Sequence, residues 1–83
     1  MDQQDHTGTI KVAALYRFAS LPNWRDLQEP TAEFCMARGI RGTLLLAHEG
    51  INGTVAGSPE AIDQLMEYLN GIEPLRGIEV KFS

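Results

Sequence analysis

The stretch from Gly42 to Ser58 leaves this chain the fewest choices. It reads Gly-Thr-Leu-Leu-Leu-Ala, then His48-Glu49-Gly50-Ile51-Asn52-Gly53, then Thr-Val-Ala-Gly-Ser. Two short apolar runs bracketing a Gly/Asn cluster predict a β-hairpin, with strands over Arg41 to Ala47 and Gly53 to Gly57. Asn52-Gly53 is the dipeptide expected at the bend, because a tight hairpin turn needs residues that accept positive φ. Leu44, Leu45 and Leu46 place leucine on both faces of the incoming strand, as in a strand covered on both sides.

The flanking segments supply the rest of the fold. Val12, Ala14, Tyr16 and Phe18 alternate with Lys11, Ala13, Leu15 and Arg17, which predicts a first strand. Its aromatic side is expected to face the core. Asn23 is placed to cap a helix starting at Trp24, whose apolar stripe of Leu27, Thr31, Phe34 and Cys35 extends to about Arg38. Pro30 inside that span predicts a kink or a fresh start, and Gly39 a stop. Ser58, Pro59 and Glu60 open a second helix, in which Ile62, Leu65, Met66 and Leu69 form the inward stripe before Asn70-Gly71. Ile78, Val80 and Phe82 alternate with Glu79 and Lys81 in a last strand.

Strand, helix, strand, strand, helix, strand, joined by right-handed crossovers, gives an α+β, ferredoxin-like (acylphosphatase-like) βαββαβ sandwich. It has a four-stranded antiparallel sheet with two helices on one face, the first and third strands central and the last beside the first. Lys11, Arg17 and Lys81 are then expected to share the open face.

At 83 residues the chain holds one modest core. Residues 10–83 read as the single domain and residues 1–9, including His6, as a flexible polar arm. A net charge of −4 argues against a broad basic footprint for nucleic acid, though not against a local one. One cysteine leaves no internal disulfide and no multi-cysteine metal site, and fits a reducing, cytoplasmic setting. No run reaches the ~20 apolar residues a membrane helix needs, and no secretory leader opens the chain. The chain stops immediately after an expected core strand, as one domain of a longer protein would.

Each chemistry that this fold hosts must show its residues. An acylphosphatase needs a glycine-rich cradle with arginine after the first strand, where this chain has Phe18-Ala19-Ser20-Leu21-Pro22. An RNA-recognition motif needs aromatics on both central strands, and Thr54, Val55 and Ala56 offer none. A metal carrier of this fold needs paired cysteines; Cys35 stands alone and is most simply a small core residue. His48 and Glu49 have the chemistry of an acid–base pair but no visible third partner, and solvated turn residues explain them as well. Tyr16 and Trp24 are expected in the core. No metal site and no catalytic constellation is visible.

Longer phrases carry more. Tyr16-Arg17-Phe18, Glu29-Pro30, Phe34-Cys35, Gly39-Ile40-Arg41-Gly42-Thr43-Leu44-Leu45-Leu46-Ala47 and Glu49-Gly50-Ile51-Asn52-Gly53-Thr54 resemble the N-terminal domain of the rhodanese-type tRNA uridine hydroxylase family. The resemblance covers residues 11 to 83. It implies an accessory domain followed by a rhodanese domain that carries the reactive cysteine, with tRNA as partner and molecular oxygen as co-substrate of the full-length enzyme. It implies no cofactor on this domain, which alone would be inactive. Arg17, Glu49, Gly50, Asn52 and Gly53 match the family's phrases. With Lys11, His48 and Lys81 they form the candidate RNA- or domain-contact set. A pure interaction domain packing on its neighbour, or a small-molecule regulatory domain, are the rival readings.

Overall fold

The structure, a computed structural model, describes residues 9–83, so the expected arm lies outside the described residues apart from Thr9. The elements follow the predicted order. They are β1 (Lys11–Phe18), α1 (Trp24–Ala37), β2 (Arg41–Ala47), β3 (Gly50–Gly57), α2 (Pro59–Asn70), a 3₁₀ turn (Glu73–Leu75) and β4 (Glu79–Phe82). All neighbouring strands are antiparallel in the order β2-β3-β1-β4, with β1 and β3 central. The ferredoxin-like topology is therefore the one the element order dictates.

Capping and stripe chemistry fix α2. Ser58 Oγ accepts a hydrogen bond from the Ala61 N–H at 3.1 Å, and Pro59 stands in the first turn, where no N–H is missed. Ile62, Leu65 and Leu69 point inward and are fully buried. They share one core with Ala13, Leu15, Ile51 and Val55 of the sheet and with the fully buried Leu21 and Leu75. Each such side chain contributes roughly 1.5–3 kcal/mol through burial. The helices touch through stacked Phe34 and Tyr68 rings, 4.4 Å between centroids. Arg38 lies over the Phe34 ring and donates to Gln64 Oε1. α1 runs unbroken through Pro30, which lies on the exposed side, so no fresh start occurs there.

Two local expectations are corrected. The hairpin bends at His48-Glu49, since Ala47 pairs with Gly50, and Asn52-Gly53 lies inside β3. Gly50 takes φ +135°, and a Cβ there would run into the Arg17 carbonyl oxygen, so glycine is required where β3 leaves the turn. The turn is also pinned from outside. The carbonyls of Glu49 and His48 accept from the N–H groups of Ala19 and Leu21 at 3.0 and 2.8 Å.

The second correction inverts β1. Ala13 and Leu15 face the helices and are buried, whereas Tyr16 and Phe18 stand on the open face, 44% and 75% exposed. Residues directly opposite in an antiparallel pair share a face. Opposite Ala13 stands Val55 and opposite Arg17 stands Ile51, both core residues, so the β1–β3 register decides the face. A one-residue slip would reverse it.

Candidate functional site

The open face of the sheet is built from alternate residues of all four strands. One row crosses it completely, Leu45–Asn52–Tyr16–Glu79, by direct pairing from β2 to β4. Beside it runs Ala47–Gly50–Phe18 on one flank and Thr43–Thr54–Ala14–Lys81 on the other. The small residues Ala14, Ala47 and Gly50 leave the larger side chains standing clear of the backbone. Leu45 is 58% exposed, and with Tyr16 and Phe18 it gives the face three uncovered large apolar groups. Two of them interact, the Tyr16 and Phe18 rings lying 5.8 Å apart at 53°.

Tyr16 is held at its tip. Its hydroxyl donates to Glu79 Oε1 at 3.1 Å. That bond, and the repulsion between a phenolate and the same carboxylate, push the Tyr16 pKa above the ordinary tyrosine value. The phenol therefore keeps its proton to a higher pH than a free tyrosine does.

Two shallow depressions flank the rings. One of about 360 Å³ is lined by Phe18, Leu45, Ala47, Gly50 and Asn52, with Glu49 at its rim. The other, about 440 Å³, lies over Ala14, Tyr16, Glu79 and Lys81. A third groove, between α1 and β2, is lined by Thr31, Cys35, Ile40 and Leu44 and meets the open face only at the β2 edge, through Arg41 and Thr43. Burial pushes the Cys35 thiol up in pKa, with the Arg38 guanidinium opposing the shift.

The structure divides the sequence-predicted contact set. Asn52 and Lys81 lie on the open face, Gly50 sits at its edge, and His48 and Glu49 form the exposed turn beside it. Gly53 stands opposite Leu15 and Leu44 on the helical face. Lys11 and Arg17 also lie on the helical side, so the expected Lys11–Arg17–Lys81 face does not form. Lys11 pairs with Asp63 of α2 at 3.4 Å and lies over the Phe82 ring. Arg17 is half-buried, and its Nε finds no hydrogen-bond partner.

Tyr16, Phe18, Arg41, Leu45 and Glu79 are open-face residues that the sequence-predicted contact set leaves out. Both sides of β1 carry apolar residues, and the cations Lys11 and Arg17 on one side and the aromatic bulk on the other both point to the wrong face. Among the described residues no group of three or more His, Cys, Asp or Glu is placed to hold a metal ion. No helix there is long and apolar enough to cross a membrane.

Comparison with known proteins adds what geometry does not. Residues 10–83 match the family model described as a UPF0176 acylphosphatase like domain. A tRNA uridine(34) hydroxylase of Mesorhizobium japonicum is 62% identical over 74 residues, 89% of this chain and 24% of the relative. Proteins of the same name from Teredinibacter turnerae and Brucella anthropi are 60% and 56% identical over 72 residues. Those matches take in 87% of this chain and 22% and 24% of the relatives. The chain thus spans about a quarter of the length of the curated relatives it matches.

Proposed function

Because the chain belongs to the UPF0176 acylphosphatase-like domain family, we propose that it serves as the N-terminal accessory domain of a tRNA-modifying oxidoreductase. The enzyme would use molecular oxygen to hydroxylate uridine 34 of tRNA to 5-hydroxyuridine in the cytoplasm. The reactive cysteine would stand in a rhodanese domain of the same polypeptide. This domain's part is to position tRNA or to dock that neighbour. The observation that carries the reading is the 62% identity to a tRNA uridine(34) hydroxylase over only its 24%. The domain's own side chains agree with a supporting role. His48 and Glu49 lie in an exposed turn, and the one cysteine is held protonated by burial.

The test is mass spectrometry of tRNA nucleosides from cells whose hydroxylase lacks residues 10–83. The accessory reading expects 5-hydroxyuridine to fall sharply, with recovery when the intact gene is restored. Undiminished 5-hydroxyuridine would end it.

A further inference from the structure

The geometry points to the open sheet face as a stacking platform for unpaired RNA bases, centred on Tyr16 and Phe18 with Asn52 reading a base edge. The inference rests on the accessory-domain reading and says which surface meets the nucleic acid. Single-stranded RNA is recognised mainly by stacking splayed bases on aromatic rings and by hydrogen bonds to their edges. The face has both parts. Two rings stand on one strand two residues apart, each beside its own depression of a few hundred Å³. Asn52, directly opposite Tyr16, carries an amide that both donates and accepts, as a uracil edge requires. Glu79 fixes the Tyr16 hydroxyl, so less side-chain freedom is lost when a base settles on the ring.

Charge selects the same side of the molecule. Six acids lie on the helices, Asp26, Glu29 and Glu33 on α1 and Glu60, Asp63 and Glu67 on α2. Against them stand Arg25, Arg38, Lys11 and Arg17 on the same side, which leaves that layer with a net negative charge. The open face instead carries the exposed cations Arg41 and Lys81 against two carboxylates, Glu79, which is engaged by Tyr16, and Glu49 at the rim. The arrangement departs from the paired aromatic strands of an RNA-recognition motif. β3 contributes Asn52 and Thr54 in place of rings, so affinity must come from β1 and few bases are held.

The experiment titrates the uniformly labelled chain with single-stranded hexauridylate and follows amide and aromatic NMR shifts. Shifts should concentrate on Tyr16, Phe18, Leu45, Asn52 and Lys81. Phe18→Leu or Tyr16→Leu should weaken binding about five- to 150-fold, the range given by losing one base stack. Phe18→Trp, which keeps a ring and disturbs no hydrogen bond, should bind within about twofold of the parent by the same measure. With two cations available, the slope of log affinity against log salt should be no steeper than about −1.4. Absence of shifts at millimolar hexauridylate, shifts confined to the helical layer, or equal binding by the leucine variants would each overturn the platform. If hydroxylation in cells still requires residues 10–83 when the platform fails, the accessory reading stands and the face is covered by polypeptide instead.

Discussion

Phe18 carries a large apolar ring that is 75% exposed, so folding gains little from it. Replacing it with leucine should change the urea unfolding free energy by less than about 0.5 kcal/mol, as surface substitutions do. Leu15, its strand neighbour, is buried among the α2 side chains, and Leu15→Ala should cost about 2–5 kcal/mol. Comparable losses at the two positions would return Phe18 to the core. The single thiol gives a second residue-level check. Burial raises the Cys35 pKa, so the folded state favours the protonated form. Its stabilising contribution is complete below the unfolded thiol pKa and fades as pH rises through the folded one. Alkylation by iodoacetamide near pH 8 should accordingly be slower in the folded chain than in urea. Equal rates would show a freely solvated thiolate.

Among the elements, the helices and the strand order were readable because local signals agree. The Ser58-Pro59 start and the Ile62-Leu65-Met66-Leu69 stripe admit one reading, and Ser58→Ala should cost about 1 kcal/mol in chemical denaturation. Loss of that bond without measurable cost would mean that the cap is not made in solution. The hairpin was readable as a hairpin but not at its bend. Asn52-Gly53 is the stronger turn dipeptide, yet the strand continues through it and the chain reverses at His48-Glu49, where backbone bonds from Ala19 and Leu21 hold the loop. Those bonds join segments far apart in sequence, and no local pattern announces them. The same limit hid the candidate face. Period two divides β1 into a wholly apolar set and one that mixes Ala13 and Leu15 with Lys11 and Arg17, and only pairing with β3 says that the mixed set meets the helices. Gly50 offers an element-scale test against Gly39, since both take positive φ but only Gly50 also meets backbone, at Arg17. Gly50→Ala should destabilise by more than Gly39→Ala, whose cost is about 1–2 kcal/mol of left-handed backbone alone. Equal costs would mean that the turn relaxes away from β1.

For the whole molecule, the two faces differ in kind. A helical layer rich in acids closes the core, and an open sheet carries aromatic, amide and cationic side chains with nothing among the described residues over them. On the accessory-domain reading proposed above, this division assigns the domain to positioning tRNA and leaves the chemistry to the rest of the enzyme. Steady-state hydroxylation of tRNA by the full-length enzyme carrying Tyr16→Leu and Phe18→Leu tests that most directly. Removing a binding contact that is the same in ground and transition states raises KM and spares kcat. The expected result is a KM for tRNA raised about fivefold or more with kcat within twofold. A collapse of kcat at unchanged KM would contradict the account, because the face would then act in the chemical step.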